Sequence, residues 1–278
     1  MTPARFAYVR PETLDAALAV LAREGEGAMP LAGGQSLVPM MAMRVARPAL
    51  LLDLNRLPGL EAIAVVEGAL RIGAMARHAS VLAHPAVAAE APLLAMALRE
   101  VAHPAIRNRG TLGGSLSLAD PAAELPACML ALDATMVLAS AAGERRIRAA
   151  EFFIGLYATA RRPDELLLRV EIPRAAGWTA WFEEVARRRG DYAMAGLAVM
   201  ARRAGGLIAE ARLSFCGVEP APRRLPEIEA ALVAGADAAA LLPRLAEPLG
   251  SAETPAPYRL HLAQVLLRRA TESLHAAA

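Results

Sequence analysis

Apolar residues at Leu14, Ala17, Leu18 and Leu21 recur at helical spacing, with Thr13 placed to cap the first turn, Asp15 inside it and Gly25 to end it, so the chain opens on an amphipathic helix. A strand is expected over 29–32, a turn at Gly33-Gly34-Gln35-Ser36, and a short buried strand in the apolar run 49–54. Together these form a small strand–helix–strand unit of the α/β kind. Two apolar runs flanking Glu67-Gly68 over 61–74 predict a β-hairpin and the start of a second unit. Helical patterns follow at 79–82 and 86–102, the latter ended by His103-Pro104. A second glycine turn, Gly110-Thr111-Leu112-Gly113-Gly114-Ser115, precedes a helix over 121–132 and strands over 135–139 and 166–172.

Beyond Gly177 the pattern changes to strands, over 179–186, 195–202 and 207–215, with Gly205-Gly206 as a hairpin turn. A Pro- and Ala-rich stretch over 220–257 separates them from a closing helix that places Tyr258, Leu262, Val265 and Leu266 on one face. This predicts three units, 1–57, 58–175 and 176–278, the last of α+β type.

Composition narrows the function. The chain has 278 residues, 56% of them apolar, which is ample for a buried core. All 30 basic residues are Arg, yet with 28 acidic residues the net charge is only +2 and aromatics make up 4%, so no basic, aromatic face for nucleic acid is expected. Cys128 and Cys216 are far apart and in no C-x-x-C pattern, which predicts inert buried thiols and no cluster. The start lacks an uninterrupted signal-peptide core, and the apolar segment 125–142 carries Asp133 and makes a poor membrane span. The chain reads as cytoplasmic.

The two glycine turns are the candidate chemistry. A dinucleotide's diphosphate needs several backbone N–H groups brought close, and glycine permits that approach. Both 33–36 and 113–115 supply a Gly-Gly pair followed within two residues by a hydroxyl. A Walker loop needs a lysine, which the chain lacks, and G-x-G-x-x-G does not occur. His78, His84, His103, His261 and His275 show no metal-ligand spacing, and no G-x-S-x-G elbow is found. Asp164-Glu165 and Glu183-Glu184 read as solvated edges. Phosphate turns without an acid–base or metal constellation point to a cofactor that performs the chemistry, with no catalytic side chain and no protein-bound metal.

Longer strings make a family resemblance specific. Pro30-Leu31-Ala32-Gly33-Gly34-Gln35-Ser36-Leu37 with Leu52-Asp53-Leu54-Asn55 resembles the first flavin signature of the medium subunit of molybdenum hydroxylases, the xanthine dehydrogenase and carbon monoxide dehydrogenase flavoprotein family. Ile106-Arg107-Asn108-Arg109-Gly110-Thr111-Leu112-Gly113-Gly114-Ser115 with Ala119-Asp120-Pro121-Ala122-Ala123-Glu124 resembles the second. Asp164-Glu165-Leu166-Leu167 through Glu171-Ile172-Pro173, Arg189-Gly190-Asp191-Tyr192-Ala193 and the closing helix are similar as well.

The resemblance implies a mixed α/β, overall α+β, fold: a two-lobed FAD-binding fold of the PCMH type, with 1–57 and 58–175 as its lobes, and a C-terminal α+β domain of the CO dehydrogenase flavoprotein type. It implies FAD held by Leu31, Ala32, Gly33, Gly34, Gln35, Ser36 and Leu37 and by Thr111, Gly113, Gly114 and Ser115, with the amides of 32–36 and 111–115 cradling the diphosphate. Ala102 is a further cofactor-binding position, Asp120 and Glu124 lie near the cofactor with Glu124 toward a ribose hydroxyl, Leu167 or Leu168 packs on the flavin ring, and Tyr192 sits beside it. Leu118 stands where many relatives have His, and the insertion carrying an extra iron–sulfur cluster in some relatives is missing.

The implied role is an electron relay. A molybdopterin-binding large subunit oxidises substrate, a small subunit with [2Fe–2S] clusters passes electrons to this FAD, and NAD, a quinone or oxygen receives them, in a dimer of heterotrimers. A stand-alone flavin oxidoreductase of the same fold and a nucleotide-binding assembly module remain as alternatives.

Overall fold

The computed structural model describes residues 2–276. Its first unit runs β1 (Ala7–Val9), α1 (Leu14–Glu24), β2 (Ala28–Leu31), α2 (Leu37–Ala42) and β3 (Leu50–Asp53), and its sheet is wholly parallel in the order β1-β3-β2. β3 is central, which is why its four residues form an unbroken buried run and show no alternation. The Thr13 hydroxyl accepts from the Ala16 amide at 3.2 Å, and Gly25 closes α1 with its N–H on the Leu21 carbonyl.

The second unit comprises β4 (Ile63–Val66), β5 (Ala69–Gly73), α3 (His78–Ala83), α4 (Pro85–Glu90), α5 (Pro92–Glu100), α6 (Pro104–Arg107), α7 (Leu112–Leu118), α8 (Glu124–Ala131), β6 (Thr135–Ser140), β7 (Gly143–Arg148), α9 (Ala149–Phe152), β8 (Phe153–Gly155), β9 (Ala158–Thr159) and β10 (Leu166–Pro173). Its five-stranded sheet is antiparallel in the order β4-β5-β10-β6-β7, and β8 pairs with β9 as a separate hairpin. The helix expected over 86–102 is two helices, because Pro92 has no N–H to continue the ladder and Ala91 leaves helical geometry with ψ 59°.

β10 joins the first two units. Leu166 and Leu168 pack with Ala17, Leu21 and Leu52 of the first, whereas Leu167, Val170 and Ile172 face the core of the second. A strand alternates faces with period two, so this switch needs one extra residue, and the register of β10 against β6 does shift between Leu167 and Arg169.

The third unit is a meander of β11 (Trp178–Val185), β12 (Ala195–Ala204) and β13 (Leu207–Cys216), followed by α10 (Pro226–Val233), α11 (Ala238–Leu245) and α12 (Ala256–Ala276). One face of this sheet, through Leu197, Val199, Leu213 and Phe215, packs on the three helices. The other, through Ala180, Phe182, Ala198, Met200 and Cys216, joins the core that contains α5 and α8. Apolar contact on every side accounts for α8, all eight residues of which are buried. No helix among the described residues is long and apolar enough to cross a membrane.

Candidate functional site

The two glycine turns meet. A Cβ built on Gly33 would strike the Arg109 carbonyl oxygen and lie 2.9 Å from Gly110 Cα, and one built on Gly114 would lie 3.6 Å from Ala32 Cβ. Leu31, at the end of β2, leads directly into the first turn, and Leu37 begins α2 directly after it. Gly34 sits at φ +72°, a region that L side chains rarely adopt. Among the described residues the amides of Gly33, Gly34, Gln35 and Ser36 donate to no protein group, while the Gly34 and Ser36 carbonyls accept from Val38 and Met40 at 3.1 Å. The Gln35 side-chain amide turns back to the Gly33 carbonyl at 3.4 Å.

The second turn differs. The amides of Leu112 and Gly113 donate to the carbonyls of Ala76 at 3.0 Å and Ala74 at 2.8 Å, and that of Ser115 donates to the Thr111 carbonyl at 3.1 Å. The Gly114 amide is capped by the Thr111 hydroxyl at 3.1 Å. Of the five amides over 111–115, only that of Thr111 has no acceptor among the described residues. The even cradle expected from both turns is therefore lopsided: the first turn offers a run of free N–H donors, and the second offers one, while its glycines pack against Ala74, Thr111 and Ala32.

Residues outside the turns tie them together. The Asn55 side-chain amide donates to the Ala32 carbonyl at 3.0 Å and to Asp53 Oδ1 at 2.6 Å, and Tyr8 donates to the other Asp53 oxygen. Burial alone would raise the Asp53 carboxyl, but hydrogen bonds from Tyr8 and Asn55 outweigh it and hold its pKa below the usual value. Arg77 donates to Asn55 Oδ1 at 2.6 Å and to the Arg109 carbonyl. His78 lies beneath Gly110 with neither ring nitrogen hydrogen-bonded, and burial brings its pKa down to about 4, so the ring is neutral.

α7 separates the turns from a second group of residues. Its seven helical residues span ~10 Å. At its end stand Ala119 at φ +52°, then Asp120, whose Oδ1 accepts from the Ala122 amide at 2.9 Å, then Glu124 as the first residue of α8. The hydroxyls of Tyr157 and Tyr192 both lie in the field of Asp120. Ala102, at φ +44°, abuts the loop that carries Tyr192: a Cβ on Gly190 would lie 3.0 Å from the Ala102 carbonyl oxygen. Tyr192 itself is 66% exposed, whereas Leu167 and Leu168 are each 5% exposed, on opposite faces of β10 and inside two different cores.

The carboxyls at this end depart most from expectation. Burial, the Glu184 charge and, more weakly, Asp120 and Glu100 push Glu124 up to about 8; burial and Glu100 push Glu184 up to about 7. At neutral pH Glu124 is mostly protonated and can donate a hydrogen bond as well as accept one. Glu184 is not the solvated edge expected of Glu183-Glu184. It lies in a row across the sheet with Gly196 and Cys216, on the face turned toward α8, and its Oε2 is buried without a partner. Glu165 is likewise 2% exposed, held by Arg145 at 2.5 and 2.8 Å. No group of three or more potential ligands among the described residues could hold a metal ion.

Sequence reasoning assigned no role to Arg77, Asn55, Tyr157 or Glu184. Of these only Asn55 stood in a recognised string.

Comparison with known proteins agrees with this geometry. Residues 4–175 match the family described as "FAD binding domain in molybdopterin dehydrogenase", and 180–274 match the "CO dehydrogenase flavoprotein C-terminal domain". The chain is 38% identical to the caffeine dehydrogenase subunit beta of a Pseudomonas species, over 96% of this chain and 86% of that one. It is 35% identical to the carbon monoxide dehydrogenase medium chain of Hydrogenophaga pseudoflava over 97% of each. A solved structure of carbon monoxide dehydrogenase from the same organism, lacking the Mo-pyranopterin moiety of its cofactor, superposes with a TM-score of 0.96 at 36% identity and covers 99% of both chains. The chain belongs to the family of FAD-binding medium subunits of molybdenum hydroxylases.

Proposed function

We propose that one FAD lies across the seam of the two glycine turns and that the chain serves as the electron relay of a molybdenum hydroxylase complex. The observation that carries this reading is the contact of Gly33 with Arg109 and Gly110, because two turns that touch can share one diphosphate. In this reading 1–57 and 58–175 are the lobes that grip FAD and 176–278 is the flavoprotein C-terminal domain. The free amides of 33–36 and of Thr111 bind the diphosphate. Asp120 and Glu124 face the cofactor beyond α7, Glu124 donating or accepting a hydrogen bond at a ribose hydroxyl. Ala102 and Tyr192 border the flavin, and Tyr157 joins them. Leu167 and Leu168 offer at most a thin edge.

When bound, FAD takes up electrons and releases them in pairs. The protein binds it, orients it and shields one side, and no side chain has to attack substrate. The partners are a molybdopterin-binding large subunit and a small [2Fe–2S] subunit in a dimer of heterotrimers, in the cytoplasm, with NAD, a quinone or oxygen as acceptor. The substrate is chosen in the large subunit.

The purified chain should show flavin absorption near roughly 370 and 450 nm, co-purify with the two partners when co-expressed, and fail to oxidise the substrate of the complex alone. A colourless chain that takes up no added FAD refutes the site. A stand-alone flavin oxidoreductase gains one point from the structure, since Glu124 and Glu184 could handle protons near neutral pH. Substrate turnover by the isolated chain would decide for it.

A further inference from the structure

The seam between the turns is crossed by one guanidinium. Arg77 stands at the start of α3, where its side chain plays no part in capping the helix, and its backbone bridges Thr111 of the second turn. From there one terminal nitrogen donates to the Arg109 carbonyl and the other to Asn55 Oδ1 at 2.6 Å. Asn55 in turn holds the carbonyl of Ala32, the residue that opens the first turn, at 3.0 Å. The chain of contacts is continuous: first turn, Asn55, Arg77, second turn. Asp53 and Tyr8 anchor its near end to the parallel sheet.

A planar fork suits this task. Its two terminal nitrogens donate in fixed directions toward acceptors on separate lobes, whereas an ammonium gathers its three N–H donors on one nitrogen and does not span two such acceptors. Neither acceptor is a carboxylate, and Arg77, Arg107 and Arg109 take part in no ion pair among the described residues. The guanidinium is thus hydrogen-bonded only to neutral oxygens, while the Asp53 carboxylate behind Asn55 acts on it as a charge without bonding to it. On the reading that FAD spans the seam, we propose that Arg77 is the positioning residue of the cofactor grip, fixing the spacing of the two glycine turns through Asn55 and the Arg109 carbonyl so that one diphosphate can engage both.

The test separates fork from charge. Flavin is removed from the full-length chain and from Arg77→Lys, Arg77→Met, Asn55→Ala and the Arg77→Met/Asn55→Ala double variant, and each is titrated with FAD and with FMN by flavin fluorescence. Arg77→Lys keeps the charge but loses the fork, and FAD should bind roughly 10- to 100-fold more weakly, the range for losing a charge-assisted hydrogen bond. FMN carries one phosphate and needs one turn, so its affinity should not change. Asn55→Ala should weaken FAD similarly, and the double variant should be no worse than the weaker single one, because both remove the same link.

Wild-type affinity for FAD in Arg77→Lys overturns the proposal, as does full additivity of Arg77→Met and Asn55→Ala. Equal loss of FAD and FMN also overturns it, since that marks general damage to the fold. Failure of the wild-type chain to bind FAD overturns the site reading itself, and is thereby distinguishable. Should Arg77→Met not fold, Arg77→Lys and Asn55→Ala suffice.

Discussion

Replacing Glu124 with Gln should stabilise the flavin-free protein at neutral pH and change the slope of its stability with pH. In an unfolded chain this carboxyl titrates near its ordinary 4.5; in the fold, burial and the charge of Glu184 raise it to about 8. The folded state therefore holds a proton that the unfolded state releases. The carboxyl's stabilising contribution is complete below pH 4.5 and is lost progressively as pH rises through 8. Each pH unit between those limits costs about 1.4 kcal/mol, so by pH 7 the penalty is about 3 kcal/mol. That is a sizeable fraction of the stability of an ordinary domain. Gln is nearly isosteric and carries no such proton, so urea unfolding at pH 5, 6, 7 and 8 should show Glu124→Gln gaining on the wild type at each step. Glu184, raised to about 7 by burial and the Glu100 charge, remains in the variant and tilts both curves in the same direction, so the divergence between them reports Glu124. The carboxylic-acid C=O band in the infrared spectrum at pH 7 should weaken in the variant. Parallel stability curves over this range would refute the reasoning.

Gly33→Ala forces a methyl into the Arg109 carbonyl, which is backbone and cannot swing aside. The turns must part, at about 1–3 kcal/mol of stability and with weaker FAD binding, measured by urea unfolding and fluorescence titration; undiminished FAD affinity would show that the contact does not set the site. Glu165→Ala leaves the partly exposed Arg145 side chain and the Arg162 amide without their carboxylate partner and should destabilise the chain by about 1–2 kcal/mol at pH 7, between the costs of breaking an exposed and a buried pair. Because Arg145 and the Arg162 amide outweigh burial and lower the Glu165 pKa, the difference from wild type should shrink as the solution is acidified, and a constant difference would argue against the ion pair.

Much of the architecture was legible because the physics behind it is local. The caps of α1 and the apolar run of β3 announce themselves in a dozen residues, and three strands broken by turn glycines define the C-terminal meander. Elements that depend on distant partners were not legible. β1 is only Ala7–Val9, one edge of a sheet whose centre comes forty residues later. α7 contains Gly113 and Gly114, which oppose helix by propensity. Its reason is tertiary, since a Cβ on Gly113 would lie 2.8 Å from the Ala74 carbonyl oxygen. α10 and α11 lay hidden in a stretch read only as Pro- and Ala-rich, although Pro226 occupies the first helical position of α10, where a missing N–H costs nothing.

The site divides in the same way. Glycines that let a backbone approach a ligand are visible as letters, but which amides stay free depends on partners such as Ala74, Ala76 and the Thr111 hydroxyl, which spacing does not reveal. Glu184 illustrates the limit. In β11 it is in phase with Trp178, Ala180 and Phe182, which pack toward α5 and α8, so alternation alone would bury it. The opposite phase, however, contains Trp181 and Val185, which pack toward α12 and its neighbours, so both faces of β11 are partly covered and alternation marks neither as the solvent face. Of the two adjacent carboxylates, Glu183 reaches Arg269 at the surface, and Glu184, on the other face, buries Oε2 without a partner. Burial on that face, together with the Glu100 charge, turns Glu184 of an apparently ordinary acidic pair into a group that holds a proton near neutral pH.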